Sequence, residues 1–190
     1  MRRNKVASPA GRVRIIGGAW RGRRLPVAPV AGLRPTPDRV RETLFNWLAD
    51  RISGARCLDL FAGTGALGLE ALSRGAAHTV FVEHNPELVA GLQYRAQALS
   101  ADCSIHEAKA MPYLKTTRDS FDLVFLDPPY QTPLEPLLAA LADHLKAAAM
   151  VYVERPSEAE LQALESWGCL QKSGRAGSVH FGLLQPAGAR

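Results

Sequence analysis

The stretch Cys57-Leu-Asp-Leu-Phe-Ala-Gly-Thr-Gly-Ala-Leu-Gly68 decides the fold. Its apolar start predicts a buried strand. Gly63 and Gly65 predict a tight turn, because glycine adopts positive φ and lets a ligand approach the backbone closely. The helix predicted over 66–73 then offers unpaired N–H groups and a positive dipole end. Strand, glycine turn and helix in this order predict the first unit of an α/β sheet with a ligand site at the turn.

Two acids indicate what kind of ligand that turn binds. Asp59 lies on the strand before the turn, where it would repel a pyrophosphate, so the G-x-G-x-x-G spacing of the glycines does not indicate a dinucleotide. The acid suits a ligand with a cationic ammonium or sulfonium group. Glu83 ends the next apolar strand, His78–Glu83, 24 residues after Asp59. A carboxylate at that position suits hydrogen bonding to a ribose diol.

A second motif, Asp127-Pro-Pro-Tyr130, closes the apolar run Phe121–Leu126. The run predicts a buried parallel strand, and two prolines force the chain to turn out of the sheet at its carboxyl end. Open α/β sheets bind ligands at that edge. The turn presents a carboxylate, backbone carbonyls and an aromatic face. This combination suits binding of a planar base through its exocyclic amino group.

The rest of the chain predicts alternating strands and helices in βα units. Strands are predicted near 56–60, 78–83, 103–107, 121–126 and 149–154, and helices near 65–74, 86–99, 134–146 and 157–167. Asn85 and Ser157 are candidate N-caps of the second and last of these helices.

The two ends of the chain predict antiparallel hairpins. Val13–Ile16 and Arg23–Val27 flank a glycine-rich turn near the start. Cys169–Lys172 and Ser178–Leu184 are expected to form a final pair. Between the first hairpin and the sheet, a helix is predicted to open with Thr36 as N-cap and Pro37 at its first position.

Positive charge is concentrated at the N-terminus. Residues 1–41 contain 11 Lys and Arg and one acid, whereas residues 42–190 contain 12 Lys and Arg and 17 acids. Such a basic segment is typical of a region that contacts a polyanion. A solvated tail is the alternative for residues 1–9, but apolar residues interleave the arginines after residue 13.

The remaining composition predicts a reducing, aqueous environment. The three cysteines, Cys57, Cys103 and Cys169, show no metal-ligand spacing and no disulfide pattern. No apolar stretch approaches membrane length, and the start lacks a signal-peptide core. We therefore expect a single-domain cytoplasmic protein that binds no metal.

Together the two site motifs resemble those of Rossmann-like methyltransferases that use S-adenosyl-L-methionine. The stretches Val13–Leu25 and Gly32–Leu48 more specifically resemble the RsmD family, bacterial enzymes that methylate guanine N2 in small-subunit (16S) ribosomal RNA. The resemblance implies an α/β fold with a mostly parallel sheet and an antiparallel final strand. It further implies a basic tail and β-hairpin arm over 1–33, a methyltransferase domain over 34–190, and a monomer that acts on ribosomal RNA in an assembled or assembling subunit.

The resemblance and the motifs together give three sets of candidate residues. The catalytic set is Asp127, Pro128 and Tyr130. The cofactor set is Asp59, Phe61, Ala62, Gly63, Gly65, Glu83, Lys109, Ala110, Met111, Arg34 and Thr36. The RNA-binding set is Arg14, Arg21, Arg23 and Arg24.

Two other functions share parts of this pattern. Enzymes that methylate adenine N6 or cytosine N4 in DNA use the same tetrapeptide, but they usually carry a separate target-recognition domain, for which this chain has no room. A non-catalytic RNA-binding module on the same fold is the other alternative. The intact acids and glycines of both motifs argue against it.

Overall fold

The computed structural model describes residues 11–27 and 36–187. Its centre is a seven-stranded sheet in the order β5-β4-β3-β6-β7-β9-β8, flanked by helices. In chain order the strands of this sheet are β3 (Arg56–Asp59), β4 (His78–Glu83), β5 (Cys103–Glu107), β6 (Phe121–Leu126), β7 (Leu145–Arg155), β8 (Gly168–Ala176) and β9 (Val179–Pro186). A separate two-stranded sheet pairs β1 (Gly11–Arg14) with β2 (Arg24–Val27).

The helices cover both faces of the large sheet. They are α1 (Asp38–Trp47), α2 (Ala66–Ser73), α3 (Pro86–Leu99), α4 (Ala110–Thr116), α5 (Glu135–Ala142) and α6 (Glu158–Ala163). Two apolar clusters of buried side chains fill the space between sheet and helices, one on each face. This confirms the predicted α/β architecture.

Sheet topology determines where the site lies. Strand β3 pairs in parallel with β4 on one side and with β6 on the other, so the strand order reverses at β3. Parallel strands end at the same edge, and ligands bind at the carboxyl ends beside such a reversal. Asp59 and Glu83 are the last residues of β3 and β4, and Asp127 directly follows β6. The antiparallel strand β9 is inserted between β7 and β8, which confirms the predicted mixed sheet.

Several predicted boundaries are wrong. Helix α1 begins at Asp38 with Pro37 as its N-cap, and no side chain caps it, so Thr36 is not the cap. Helix α5 ends at Ala142, and the alanine-rich segment after it belongs to strand β7, because pairing with β6 on both sides of the alanines, at Leu145 and Met150, outweighs their helix propensity. The final hairpin is longer than predicted, and its turn consists of only residues 177 and 178.

The N-terminal hairpin is docked on the body of the protein through helix α2. Backbone N–H groups of Ile16 and Gly17 donate to the Glu70 carboxylate at 2.8 and 2.7 Å. The Ser73 hydroxyl accepts from Trp20 N and donates to Gly17 O. Ile15 is fully buried in the first apolar cluster. The hairpin therefore packs directly against the body of the protein.

Glycine is required where the hairpin meets α2. Gly18 has φ +74°, and a Cβ there would lie 1.8 Å from the Ser73 carbonyl oxygen. Any other residue would clash with the backbone and adopt a strained conformation.

Across the described ranges, no helix combines the length and apolar character that crossing a bilayer requires.

Candidate active site

The glycine turn has the backbone conformation that the sequence predicted. Gly63 and Gly65 have φ of 53° and 74°, values that favour glycine. A Cβ on Gly65 would lie 2.3 Å from a methyl group of Leu92, and a Cβ on Gly68 would lie 2.2 Å from the Phe81 ring. The turn thus packs tightly against α3 and β4. Helix α2 begins immediately after it, with its first N–H groups at the ligand edge.

Asp59 lies beneath this turn and is only 3% exposed. Its Oδ2 accepts a hydrogen bond of 3.0 Å from Gly68 N. Burial raises the pKa of Asp59 to about 7, a shift that the Gly68 bond opposes and the Glu83 charge increases. A cationic group placed nearby would favour the charged form of Asp59. The predicted contact between Asp59 and a ligand stays a prediction.

Glu83 holds the ends of two elements together. Its Oε2 accepts from Gly63 N at 2.9 Å, and its Oε1 accepts from His84 N and Asn85 N at 2.8 Å each. The carboxylate is 7% exposed. It therefore fixes the glycine turn against the start of α3, whose predicted cap Asn85 is confirmed by its bonds to the backbone of the first turn. Its predicted bond to a ribose diol stays a prediction.

The segment after β5 forms a helix that the sequence analysis missed. Lys109 is the exposed N-cap residue of α4, Ala110 is buried, and Met111 packs against the second apolar cluster. Pro112 lies in the first turn of α4, where proline is tolerated, although in sequence it suggests a loop. Ala108 N donates to Glu83 O, so this segment lies beside the end of β4. The structure thus brings it to the ligand edge.

The Asp127-Pro-Pro-Tyr130 segment leaves the sheet as predicted, directly after β6. Pro128 is buried, Pro129 is exposed, and Tyr130 is 38% exposed. Burial raises the pKa of Asp127 well above its ordinary value, and the negative charges of Glu154 and Asp59 raise it further, whereas Arg155 lowers it. Asp127 and Asp59 thus lie close enough to interact. The two motifs meet at one edge.

Arg155, the last residue of β7, hydrogen-bonds the backbone of the Asp127–Tyr130 segment. Arg155 is 7% exposed and its Nη2 donates to Tyr130 O at 3.3 Å and to Glu160 Oε2 at 2.8 Å. Glu160 belongs to the predicted capping box, which is confirmed by the bond from Glu160 N to Ser157 Oγ. Arg155 therefore ties the backbone of the tetrapeptide to α6.

A cavity of about 460 Å³ lies beside Tyr130. It is bounded by the loop after the tetrapeptide, by α5 and by the segment from α6 to Trp167, and Arg155 and Glu160 lie on its wall. Asp59, Glu83 and Asp127 are not among its lining residues. The cavity therefore flanks the carboxylate edge and is not centred on it.

Glu154 is a further buried carboxyl at the same edge and was not among the predicted site residues. The Tyr152 hydroxyl donates to Glu154 Oε1 at 2.7 Å, and the Thr36 side chain also hydrogen-bonds this carboxyl. The signal that identified Glu83, an acid that closes an apolar strand, was also present in Met150–Glu154.

Two further residues of the candidate cofactor set, Thr36 and Arg34, precede α1. Thr36 reaches the site edge, but its hydroxyl bonds Glu154, so its role toward a methionine carboxylate stays a prediction. Arg34 lies outside the described residues.

The candidate RNA-binding arginines share the outer surface of the hairpin. Arg14 and Arg24 are opposite each other in the β1–β2 pairing and are both exposed, whereas their neighbours Val13 and Leu25 face the interior. Arg21 is exposed in the connecting turn. Arg23 is also exposed, but its Nη1 donates to Ala98 O in α3.

A family model described as "Conserved hypothetical protein 95" matches residues 13–185. Ribosomal RNA small subunit methyltransferase D of Escherichia coli strain K12 is 44% identical over 182 residues, which cover 94% of this chain and 92% of the relative. The protein of the same name from Haemophilus influenzae is 42% identical over 195 residues, which cover 97% of this chain and all of the relative.

The chain belongs to the RsmD family. A solved structure of an Escherichia coli protein, 43% identical, covers 93% of this chain and 98% of its own length with a TM-score of 0.81. The family match contains the whole candidate site, from the hairpin to β7. The RsmD resemblance of the two N-terminal stretches is thereby confirmed, and with it the methyltransferase fold.

Proposed function

We propose that this RsmD-family methyltransferase transfers the methyl group of S-adenosyl-L-methionine to the exocyclic N2 amino group of a guanine in small-subunit (16S) ribosomal RNA. The observation that carries the proposal is the meeting of Asp59, Glu83 and Asp127 at the carboxyl edge of one sheet. The names of the relatives support small-subunit ribosomal RNA as the substrate class. Guanine N2 rests on the family resemblance.

The polar and apolar groups at this edge fit S-adenosyl-L-methionine. A carboxylate at the end of β4 matches a ribose diol, and the positive-φ glycine turn leaves backbone close to a ligand. Ala110 and Met111 offer apolar contact for an adenine ring. We assign cofactor binding to these groups, to Asp59, Phe61 and Ala62 of the turn region, and to Thr36. The cofactor supplies a methyl group on a cationic sulfur, which is the electrophile of the reaction.

The tetrapeptide performs the acceptor chemistry in this proposal. The amino nitrogen of guanine is a poor nucleophile, because its lone pair is delocalised into the ring. Asp127 and the Pro128 carbonyl each accept one N–H of the amino group, which draws the nitrogen toward tetrahedral geometry and stabilises the positive charge that develops. Tyr130 stacks on the base, and the bond from Arg155 to the Tyr130 carbonyl holds the backbone of this segment.

The deciding assay incubates undermethylated small subunits with the enzyme and labelled cofactor, then digests the RNA to nucleosides. We expect the label in N2-methylguanosine. Label only in methylated adenosine or cytidine, or only on DNA, would refute the proposal. Naked 16S RNA in a parallel incubation tests whether an assembled or assembling subunit is required.

We further propose that the chain consists of an arm over 1–33 and a methyltransferase domain over 34–190. We also propose that the protein is monomeric and cytoplasmic.

Glu83→Gln is expected to weaken cofactor binding by about 1–3 kcal/mol, as for a lost hydrogen bond to a charged group. The amide retains the size of the side chain but replaces one accepting oxygen by a donor. Isothermal titration calorimetry with S-adenosylmethionine in the absence of RNA measures this.

Glu107→Gln is the matched control for that measurement. Glu107 lies directly opposite Glu83 in the β4–β5 pairing and is exposed. The affinity of the Glu107→Gln variant for S-adenosylmethionine should equal that of the wild type. Equal affinity in Glu83→Gln as well would remove Glu83 from the ribose site.

The combined variant Arg14→Ala, Arg21→Ala and Arg24→Ala is expected to weaken RNA binding and to reduce its salt dependence. Each lost phosphate contact should lower the log–log slope by about one unit. Arg23 is left unchanged because it also holds the hairpin against α3. Binding to undermethylated subunits is measured at several salt concentrations, and cofactor affinity should not change.

A second triple variant controls for the loss of positive charge. Lys115→Ala, Arg118→Ala and Lys172→Ala removes three exposed basic residues outside the hairpin. Its salt slope should remain that of the wild type. The hairpin assignment fails when the two triple variants have the same slope.

A further inference from the structure

Glu154 is a buried carboxyl for which the proposed chemistry has no role so far. Strands β6 and β7 run in parallel with Leu126 opposite Val153, so Glu154 is the next residue of β7 and Asp127 directly follows the end of β6. Glu154 is only 5% exposed. A buried carboxyl is costly unless its partners compensate for the loss of water. Its place beside the acceptor motif therefore calls for an explanation.

The partners of Glu154 favour its charged form. The Tyr152 hydroxyl, 1% exposed, donates to Oε1 at 2.7 Å, and the Thr36 side chain also hydrogen-bonds the carboxyl. Hydrogen bonds to a carboxylate stabilise the ionised state. Arg155 points to the other side of the strand, where it is engaged by Glu160 and the Tyr130 carbonyl. Glu154 thus places its carboxyl on the Asp127 side of the strand, where these hydrogen bonds favour its ionised form.

We propose that Glu154 is a positioning residue of the acceptor site, which acts through Asp127 by placing a second carboxylate beside it and so makes Asp127 a stronger acceptor for the amino protons. This inference rests on the proposed amino-methylation. Glu154 itself touches neither the base nor the methyl group in this arrangement.

The proton balance of the reaction explains why a stronger acceptor is useful. During transfer the sulfur–carbon bond breaks and a nitrogen–carbon bond forms, so the sulfur becomes neutral and the positive charge passes to the amino nitrogen. That nitrogen must then lose a proton. Asp127, which already accepts a hydrogen bond from this N–H, takes the proton and later releases it to water. A basic Asp127 makes this step favourable.

The electrostatics of the two carboxyls agree with this role. Burial raises the pKa of Asp127, and Glu154 is the next largest cause of the rise, before Asp59. Burial also raises the pKa of Glu154, while its hydrogen bonds to Tyr152 and Thr36 lower it. The other charged and titratable groups around the pair are Asp59 from β3, Tyr152 from β7 and Tyr130 from the tetrapeptide. Arg155, on the other side of β7, lowers the pKa of Asp127 through its positive charge.

The test is the pH dependence of kcat in Glu154→Gln. Activity requires ionised Asp127, so it is lost as the pH falls through the pKa of Asp127. Removing the Glu154 charge lowers that pKa, so the acid limb should move to lower pH by about one unit. The plateau kcat should fall by about tenfold because Asp127 is then less basic. Cofactor affinity and the KM for RNA should not change.

Tyr152→Phe gives a second, independent measurement. It removes the O–H that stabilises ionised Glu154, so Glu154 is protonated up to a higher pH. The acid limb should move in the same direction as in Glu154→Gln, by a smaller amount. Glu165→Gln, an exposed glutamate after α6, is the control and should keep the wild-type profile. If Glu154→Gln does not fold, the pH profile of Tyr152→Phe tests the inference on its own.

An acid limb that stays in place, or that moves to higher pH, in the folded variants would overturn the inference. A lower kcat without any movement of the limb would indicate a purely structural role. The proposed function is tested separately by the identity of the methylated nucleoside that the wild type produces. Label on a base other than guanine would leave the comparison of pH profiles valid.

Discussion

Replacing Asp127 by alanine is expected to leave cofactor binding intact and to lower the rate of methyl transfer by about 10²–10³-fold. The side chain acts on charge that develops only in the transition state, so its loss affects kcat far more than substrate affinity. The glycine turn does not depend on Asp127, since Glu83 and Asp59 hold it. Binding of the methyl donor should therefore be retained.

Single-turnover transfer to undermethylated subunits, together with calorimetry, separates these two effects. Asp143→Ala is the control, because Asp143 is an exposed aspartate at the end of α5. Near-wild-type turnover of Asp127→Ala would exclude the amino-group role. Loss of cofactor binding in the same variant would place Asp127 in the cofactor site instead.

Glu70→Ala is expected to lower the free energy of unfolding by about 3–5 kcal/mol, as for removal of one partner from a buried ion pair. Glu70 is fully buried and accepts from Ile16 N, Gly17 N and Arg74 Nε at 2.7–2.8 Å. The guanidinium of buried Arg41 lies 3.6 Å from it. The variant removes the acceptor of two partly buried N–H donors and one carboxylate partner of Arg74 and Arg41, of which Arg41 retains Asp38.

Equilibrium unfolding in urea measures this loss. Glu42→Ala is the control, because Glu42 is an exposed helical glutamate, and its effect should stay within about 0.5 kcal/mol. A loss below about 1 kcal/mol in Glu70→Ala would mean that water or a rearranged hairpin replaces the carboxylate.

The sequence predicted the site edge well because its residues follow simple local patterns. Asp59, Glu83 and Asp127 each end or follow an apolar strand, and parallel strands bring such ends together. Positive φ at Gly63 and Gly65 was also predictable from a local pattern, because both glycines lie in the short turn between a strand and a helix. The capping residues Asn85 and Ser157 also depend only on the few residues that follow them.

Other features depend on residues that are distant in the chain. Glu70 lies in a mostly apolar helix. Its ion-pair partner Arg74 is only four residues away, but its backbone partners are more than 50 residues away, so nothing local indicates that Glu70 anchors the hairpin. Arg95 is buried for a similar reason, with its Nη1 donating to Pro26 O, and burial lowers its pKa to about 10. The start of β7 resembles a helix in composition, and its extended form depends on pairing with the distant strand β6 at Leu145 and again from Met150.

Helix α2 has a further consequence for target selection under the proposed function. It begins in the glycine turn and ends beneath the hairpin, where Ser73 holds Trp20 and Gly17. Its eight residues span about 12 Å. A phosphate bound to the hairpin arginines is thus kept at a constant distance from the methyl donor. The enzyme would select its nucleotide by spacing along the folded RNA, and base identity would only complete that choice.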